Sequence, residues 1–409
     1  MDDARGQKTS DLFLTMIAAE FPIPAHHGAK VDVWRRLQSF KRLGVKIQFV
    51  CWVSEHPNEK DFNTVKNLVE DLVLLPYYNG PFTFPIRMLL CIKYPLQFSS
   101  RLVFVNQKKI LNQCVKKFGP HAIWLDGIHG APCAFDLQRK SGKMLFYRSH
   151  NIEYMYHLRL LKAARGMGVI KSLLSFLHLE KWEKEILKRA RLFFDISSDD
   201  LSFWQRLGYK YGRLFPPLLE SNVEQMSSDL KTSDAEFDFV FLGNLHTENN
   251  ISGLRWLIEE VWPIIISKMP QATFLIAGSN PHSEIDSLCA KKPGITLLPN
   301  PPHSRPTYLR GRVMLNPVFT GSGVSLKSIE MLTIPRPIVT REQGLAGIPA
   351  EVHRYFCVAR NVEEFSAHML DQIQNPTERS VPADLLDEHF GDLRSQQVLN
   401  EIRLLTQNL

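Results

Sequence analysis

Short apolar runs alternate with longer amphipathic stretches along almost the whole chain. The first repeat of this pattern contains an apolar run at 12–18, a glycine-bearing loop, a stretch of helical spacing, and a second apolar run at 46–53. Buried strands that alternate with amphipathic helices are typical of a doubly wound parallel sheet. The pattern therefore predicts an α/β protein with Rossmann-like sheets.

A polar segment at 217–236 interrupts this alternation, and apolar runs resume at 237–245. The segment follows a proline and is poor in apolar residues, which is typical of a linker. The predicted organisation is an N-terminal Rossmann-like domain (1–216), a linker (217–236), a second Rossmann-like domain (237–380) and a helical tail (381–409). Whether the tail packs back on the N-terminal domain is left open at this point.

The two halves of the chain differ in charge. Residues 1–219 carry a net charge of +14 and residues 220–409 carry −7, within a total of +7. A basic half can face nucleic acid, anionic lipid or phosphorylated substrates. The charged run at 181–191 is typical of a solvated helix face, and no helix-turn-helix, RNP or zinc motif accompanies it. We therefore expect no nucleic-acid partner.

The segment 80–110 is apolar, aromatic and basic at the same time. It fits either a surface that lies in an anionic membrane interface or an ordinary insertion that packs on the N-terminal sheet. The basic charge of this half favours proximity to a membrane. No secretory signal and no apolar run of roughly 20 residues is present, and none of the 6 cysteines forms a CxxC pair. These features predict a cytoplasmic protein, with peripheral attachment to the inner face of the membrane left open.

The segment TGSGVSLKSIE, from Thr320 to Glu330, lies between a predicted strand and a predicted helix. Its glycines let a ligand approach the backbone, and the free N–H groups of a helix start suit a phosphate. Lys327 and Glu330 are three residues apart and share one helical face. Lysine can neutralise phosphate charge, and a carboxylate can accept hydrogen bonds from ribose hydroxyls. The segment therefore indicates a nucleoside-diphosphate pocket; the alternative is a glycine turn before a surface ion pair.

VMLNPVFTGSGVSLKSIEMLTIPRPIVT, together with FVFLGNLHTENNISGLRWLIEEVWP, resembles the donor domain of the group 1 (family 4) glycosyltransferases. FPIPAHHGAKVDVWRRLQSF and RSHNIEY resemble the looser motifs of the family's N-terminal half. The resemblance implies the GT-B fold, in which two Rossmann-like doubly wound domains face a central cleft. It also implies that the N-terminal domain binds the acceptor and the C-terminal domain binds the nucleotide sugar.

The resemblance assigns roles to individual residues. Lys327 would pair with the diphosphate, Glu330 would bind the ribose, and His150 would lie near the reacting sugar. The residues implied to bind the donor are Gly28, Gly243, Asn244, Asn250, Thr320, Gly321, Ser322, Gly323 and Val324. The sequence departs from the family at Thr320, since many members begin this loop with a glutamate, and in the loop NLHTENN, which lacks a basic residue that many members place there.

The implied function is a retaining, metal-independent transfer of a hexosyl-type group from a nucleotide-diphosphate sugar to a hydroxyl acceptor. The implied acceptor is a lipid-linked or surface-polysaccharide glycan, and no cofactor is expected beyond the nucleotide sugar as co-substrate. A sugar-nucleotide 2-epimerase of the same architecture and a catalytically inactive sugar-nucleotide-binding protein remain as alternatives. His129, His26 and His27 are weaker site candidates without the spacing of a metal site, and Arg305 fits a surface role better.

Overall fold

Each half of the chain folds around its own parallel sheet, in a computed structural model that describes residues 11–25, 28–166, 168–220, 235–290, 292–319, 324–376 and 380–407. The strands are β1 (Phe13–Ala18), β2 (Lys46–Val53), β3 (Asp71–Pro76), β4 (Ala122–Asp126), β5 (Met144–Ser149), β6 (Leu192–Asp195), β7 (Gly212–Leu214), β8 (Phe237–Asn244), β9 (Phe274–Ser279), β10 (Ile295–Pro299), β11 (Gly311–Asn316), β12 (Ile338–Arg341) and β13 (Phe356–Ala359).

Helices connect most of these strands. In the first half they are α1 (Gly28–Arg42), α2 (Glu59–Lys66), α3 (Phe84–Leu90), α4 (Leu96–Ser99), α5 (Val105–Phe118), α6 (Ala131–Ser141), α7 (Glu153–Ala163), α8 (Gly168–Phe176), α9 (Leu179–Arg189) and α10 (Ser198–Arg206). In the second half they are α11 (Glu248–Trp256), α12 (Trp262–Lys268), α13 (Ser283–Cys289), α14 (Ser304–Leu309), α15 (Leu326–Met331), α16 (Val362–Gln374), α17 (Ala383–Phe390) and α18 (Asp392–Gln407). A π-helical turn at Leu257–Val261 joins α11 to α12.

The strand order is β3-β2-β1-β4-β5-β6-β7 in the first sheet and β10-β9-β8-β11-β12-β13 in the second. In both sheets the order reverses beside the first strand of the sheet, at β1/β4 and at β8/β11. Ligands of such sheets bind outside the carboxyl ends of the strands, near this reversal. The topology therefore confirms the predicted pair of Rossmann-like sheets. It also predicts that ligands bind at the carboxyl ends of β1 and β4 in the first sheet and of β8 and β11 in the second.

The sequence forms these sheets because its strands are apolar on both faces. In β2 the six residues from Ile47 to Trp52 are all buried, and β4 is buried from end to end. Alternate side chains therefore enter two cores, one on each face of the sheet. The C-terminal sheet is covered in the same way by two separate apolar clusters.

The chain divides into two units, one formed by Met1–Leu218 with Asp392–Leu409 and the other by Leu219–Gly391. Val381, Leu386 and Phe390 pack in the core of the C-terminal unit. Val398, Leu399 and Ile402 of α18 pack in the core of the N-terminal unit instead. The predicted tail at 381–409 is therefore divided at residue 392, and only α18 returns to the N-terminal unit.

The boundary between the units lies between Leu218 and Leu219. Leu218 is buried in the N-terminal unit, and the Leu219 N–H donates a 2.7 Å hydrogen bond to the Phe390 carbonyl of the C-terminal unit. The predicted linker at 217–236 thus begins with residues that belong to the units, and its central part, 221–234, lies outside the described residues. No helix in the described ranges is both long and apolar enough to cross a membrane.

Candidate functional site

Lys327 lies on α15, a helix of six residues that follows β11 in the chain. Ser325 caps this helix, because its Oγ accepts a hydrogen bond of 3.2 Å from the Ser328 N–H. We predicted a helix start near Val324 with free N–H groups for a phosphate, and the cap occupies one of those groups. The Lys327 side chain is therefore the larger source of positive charge on this helix.

The contacts of the Lys327 amine are neutral. Its Nζ lies 3.3 Å from Oδ1 of Asn250 and 4.5 Å from the centroid of the Phe241 ring. Burial lowers the pKa of Lys327 to about 7, because the ammonium loses hydration that these neutral contacts do not replace. An anion placed beside this amine would restore its preference for the charged form. The arrangement therefore suits a phosphate ligand.

Asn250, on α11, connects Lys327 to the end of β8. Its Nδ2 donates a 2.9 Å hydrogen bond to the Asn244 carbonyl, and its Oδ1 faces the lysine. A Cβ at Gly243 would lie 2.9 Å from Asn250 Nδ2, closer than such atoms approach in proteins. Glycine is therefore needed for Asn250 to reach the lysine. The structure brings these four predicted residues (Gly243, Asn244, Asn250 and Lys327) together.

A second set of hydrogen bonds fixes α15 on the sheet, and the sequence analysis missed it. The buried Asn316, at the end of β11, donates to Ser328 Oγ at 3.1 Å, and Ser328 Oγ donates to the Gly344 carbonyl at 2.8 Å. Thr340 Oγ1, on β12, donates to the Asn316 carbonyl at 3.1 Å. Asn316 is visible in the sequence as a polar residue that ends an apolar strand, which is the signal that could have identified it.

Glu330 lies on the same helix, one turn after Lys327, and is partly exposed. Its carboxylate is close enough to the buried Tyr308 to affect the phenol. Burial raises the pKa of Tyr308 well above its usual value, and the charge of Glu330 adds to this shift. The tyrosine therefore stays protonated beside the carboxylate at neutral pH.

Four of the predicted donor-binding residues lie outside the described residues: Thr320, Gly321, Ser322 and Gly323. Val324, which follows them, is partly exposed and precedes the cap of α15. His26 and His27 also lie outside the described residues. The predicted phosphate contacts of the glycine loop thus stay predictions.

Arg341 is a further cation at this edge that the sequence analysis missed. It ends β12, and its guanidinium carbon lies 3.7 Å from the ring centroid of Phe319 and 5.0 Å from that of Trp256. Phe319 directly precedes the glycine loop. Nε and Nη1 of Arg341 are buried and have no hydrogen-bond partner in the described part of the chain. Two donor nitrogens of a guanidinium that contacts Phe319 are therefore available to an anionic ligand.

In the N-terminal unit, His150 follows β5 and contacts the end of β4. Its Nε2 lies 2.9 Å from Asp126 Oδ1. Burial alone would raise the pKa of Asp126, but Arg36, the His150 hydrogen bond and Arg148 together hold this pKa well below its usual range. An ionised carboxylate only accepts hydrogen bonds, so His150 carries its proton on Nε2. In the neutral ring Nδ1 is then the acceptor, and Gly127 leaves space beside it because a Cβ there would lie 3.6 Å away.

A buried ion-pair network supports this histidine. Arg36 donates from Nε to Asp126 at 3.0 Å and from Nη1 to Asp32 at 3.0 Å, while Arg148 donates from Nη2 to Asp32 at 3.1 Å. Trp124 adds an indole N–H to Asp126 at 3.0 Å. Two arginines thus compensate two aspartates, and His150 is attached to a network of balanced charge.

The other sequence candidates have different surroundings. Gly28 is exposed and begins α1, the helix that carries Asp32 and Arg36. Burial lowers the pKa of His129 well below its usual value, so this imidazole stays neutral at pH 7. Arg305 Nη1 donates to the Thr333 carbonyl at 2.9 Å, which is a structural contact within the C-terminal unit.

A cleft of about 340 Å³ opens in the N-terminal unit beside the carboxyl ends of β1, β2 and β3. The Arg101 guanidinium lies 4.8 Å from the Tyr77 ring centroid and donates from Nε to the Ala19 carbonyl at 2.9 Å. The charged side chains of its wall are Glu20, Lys30, Glu55, Asp61 and Arg101. Carboxylates and aromatic rings in one cleft suit a polyhydroxylated ligand, because the carboxylates accept hydrogen bonds from hydroxyl groups.

Within the described ranges no group of three or more histidine, cysteine, aspartate or glutamate side chains is arranged to hold a metal ion.

Residues 236–375 match the sequence model of the family described as Glycosyl transferases group 1. A curated protein of Klebsiella pneumoniae, an uncharacterized 44.6 kDa protein in the cps region, is 21% identical over 385 residues, which cover 88% of this chain and 91% of that protein.

Solved structures resemble the chain over nearly its whole length. A glycosyltransferase from Rickettsia africae ESF-5 has a TM-score of 0.64 at 9% identity and covers 98% of this chain and 100% of its own. The structure of Anabaena HepE in complex with UDP and glucose has a TM-score of 0.60 at 10% identity. The match covers 95% of this chain and 98% of the HepE chain. At such identities these likenesses show the fold. Residues 236–375 of the C-terminal unit are thus similar to the group 1 glycosyl transferases, and the two Rossmann-like units have the GT-B fold.

Proposed function

We propose that the protein transfers a hexosyl-type group from a nucleoside-diphosphate sugar to a hydroxyl group of a lipid-linked or surface-polysaccharide glycan. The observation that carries this proposal is the partly buried amine of Lys327, held among neutral groups in the region that matches the group 1 glycosyl transferases. The complex of the similar HepE with UDP and glucose supports a sugar nucleotide as donor. The Klebsiella relative, named for its place in the cps region, supports polysaccharide biosynthesis.

Lys327 and Arg341 are the proposed cations for the donor diphosphate. The first donor-domain loop, NLHTENN, has no basic residue. Arg341 compensates for this difference in the proposal, because it brings a guanidinium to the carboxyl end of β12. Asn250 holds Lys327 from the other side, and Glu330 binds the ribose hydroxyls.

The proposed reaction retains the anomeric configuration. The acceptor oxygen forms a bond to the anomeric carbon on the face from which the phosphate oxygen departs, and the acceptor proton passes to that departing oxygen. The products are the glycosylated acceptor and the nucleoside diphosphate. Positive charge beside the departing phosphate lowers the barrier, because charge develops there in the transition state. In this proposal neither a metal ion nor another cofactor takes part.

The N-terminal unit is the proposed acceptor domain. Its cleft beside β1, β2 and β3 combines carboxylates with aromatic rings, as a glycan acceptor requires. His150 orients the reacting sugar through Nδ1, because Asp126 holds its other nitrogen. We place the reaction on the cytoplasmic side of the membrane, where sugar nucleotides are made.

A thermal-shift screen against UDP, GDP, ADP and TDP sugars tests the donor part of the proposal. A ligand that binds the native state raises the melting temperature, and the rise is larger the further its concentration exceeds its dissociation constant. The best donor is then incubated with short glycan acceptors, and NMR of the product reports the anomeric configuration. Incubation with UDP-N-acetylglucosamine alone is the matched control. Net isomerisation without acceptor would favour the 2-epimerase, and binding without any turnover would favour an inactive sugar-nucleotide-binding protein.

A further inference from the structure

Exposed apolar side chains are concentrated in two segments of the N-terminal unit, 81–110 and 154–178. Thirteen of the eighteen large apolar or tyrosine side chains that are exposed in the described ranges belong to these segments. Phe82 is 94% exposed, Ile92 73%, Leu89 67% and Ile170 63%. Monomeric proteins rarely leave apolar residues exposed in such clusters unless a partner covers them.

Two helices in these segments have no buried residue among those described. In α3 the apolar residues Phe84, Ile86 and Leu89 are all exposed. In α8, with the sequence GVIKSLLSF, Val169, Ile170 and Leu173 are exposed. A helix this apolar ordinarily lies against a core or a membrane. Neither helix gains its stability from a core of this unit.

The two segments adjoin each other in the fold. The short helix α4 packs against α8, and Gln97 Nε2 lies 3.5 Å from His157 Nε2 on α7. Both segments lie on the face of the sheet that carries α5, α6 and α9. They therefore form one surface, which we call the apolar-basic surface.

The charge of this surface is of one sign. Residues 81–110 contain five basic and no acidic residues, and residues 154–178 contain four basic and no acidic residues. The basic residues of the surface are Arg87, Lys93, Lys108, Lys109, Arg159, Lys162, Arg165 and Lys171; Arg101 is apart from them, because its guanidinium lines the cleft beside β1, β2 and β3. Apolar side chains among cations, with no carboxylate, match the composition of an interfacial membrane-binding surface.

A basic cleft of about 390 Å³ opens next to this surface. Its wall includes Lys93 and Lys108 from the first segment, Arg189 from α9, and the paired Asp136 and Arg139 from α6. Trp182 lines it too, and its indole N–H donates to the Lys93 carbonyl at 3.2 Å. Cations around an aromatic wall suit the phosphate of a lipid head group.

We propose that the apolar-basic surface docks the N-terminal unit on a membrane that contains anionic lipids. A second copy of the chain fits this surface less well, because a two-fold interface would bring the same eight cations against each other. Anionic head groups instead neutralise them while the acyl region accepts the apolar side chains. The proposal does not rest on the transferase activity.

Flotation of the full chain with vesicles tests the proposal. One set of vesicles contains phosphatidylcholine alone, and the other contains phosphatidylcholine with phosphatidylglycerol. The expected result is binding to the anionic vesicles, with weaker binding at high salt, because salt screens surface charge. Absence of binding to the anionic vesicles would overturn the proposal, whatever the outcome of the donor screen.

The double variant Phe82→Ser/Ile92→Ser tests the apolar part. Both side chains are largely exposed, so the fold is expected to remain intact, and vesicle affinity is expected to fall about tenfold or more because two apolar anchors are lost. The matched control is Leu404→Ser on α18. Leu404 is 65% exposed, and its helix packs on the opposite face of the same sheet.

The double variant Lys108→Gln/Lys109→Gln tests the charged part. It is expected to lose most of the preference for anionic vesicles, whereas Lys60→Gln/Lys66→Gln on α2 is expected to keep it. Unchanged vesicle binding of the Phe82→Ser/Ile92→Ser protein would contradict the proposal. Light scattering without vesicles tests the alternative occupant, a second copy of the chain. If the wild-type protein is a dimer and the Phe82→Ser/Ile92→Ser variant is a monomer, the surface is a dimer interface and not a membrane-docking surface.

Discussion

The two Rossmann-like units hold their central polar side chains in opposite ways. In the N-terminal unit, His150 contacts a buried network in which Arg36 and Arg148 compensate Asp32 and Asp126. In the C-terminal unit, the contacts of Lys327 are an amide oxygen and an aromatic ring. The first arrangement is electrically complete within the protein, whereas the second becomes complete when an anion binds. The N-terminal sheet edge therefore fixes the orientation of His150, whereas the C-terminal sheet edge offers a positive charge to an anionic ligand.

The largest expected effect is on stability, in the N-terminal unit. Asp126→Ala removes a fully buried carboxylate and leaves Arg36 and Arg148 with only Asp32 to compensate them, at a cost of about 3–5 kcal/mol in the free energy of unfolding. Asn250→Ala, the matched change in the C-terminal unit, is expected to cost about 1 kcal/mol or less because its hydrogen bonds are partly exposed. Urea denaturation measures both. If the two variants lost equal amounts of unfolding free energy, the polar side chains of the two units would not differ in how strongly they stabilise the fold.

Lys327→Ala is expected to reduce transfer by about 10²–10³-fold, as the loss of a group that stabilises developing charge does. Stability is expected to stay constant or rise, because burial lowers the pKa of this lysine and the folded state therefore holds its proton less tightly than the unfolded chain. Initial rates and a melting curve are the two measurements. Lys268→Ala, an exposed lysine of the same unit, is the control. A Lys327→Ala protein with the wild-type rate would refute the assignment.

Glu330→Ala is expected to reduce transfer by about tenfold or more at donor concentrations below saturation, because donor affinity falls by that factor. The specific readout is the discrimination between UDP and 2′,3′-dideoxy-UDP in a calorimetric titration. The wild-type protein should prefer UDP, and the variant should bind the two equally. If the variant keeps the wild-type preference, another residue binds the ribose.

The smallest expected effect is a pH dependence of donor binding. Below about pH 7 the Lys327 amine is already protonated in the free protein, whereas above it binding must take up a proton. Affinity is therefore expected to fall by up to about tenfold per pH unit above 7, until the pKa of the bound state is reached. Calorimetry in buffers of different ionisation enthalpy measures the number of protons that the protein takes up when the donor binds. Lys327→Arg should bind without proton uptake, because arginine stays charged.

The fold was predictable from the sequence because most strands are continuous apolar runs. The predicted run at 46–53 is the observed β2, and the predicted run at 12–18 contains β1. β3 and β7 were missed, since β3 ends at a proline and β7 has three residues. β6 ends at Asp195, because Ser197 caps α10 with its side chain. Local capping of this kind outweighs strand propensity.

The candidate site was predictable in part. The glycine, the two asparagines and the lysine of the donor motif were identified by resemblance, and the structure joins them by contacts. Asp126, Asn316 and Arg341 were not identified. Their importance depends on which strand ends are neighbours in the sheet, and that order is β1-β4-β5 and β8-β11-β12 rather than the order of the chain. The spacing of residues along the sequence does not show which strands are neighbours in the sheet.

The return of α18 to the N-terminal unit has a consequence for synthesis on the ribosome. The C-terminal unit is one continuous stretch, Leu219–Gly391, whereas the N-terminal unit requires residues from both sides of it. Val398, Leu399 and Ile402 fill its core and are translated last among these elements. The part that is translated first therefore finishes folding second, and until then its unfilled core is a surface that chaperones would recognise.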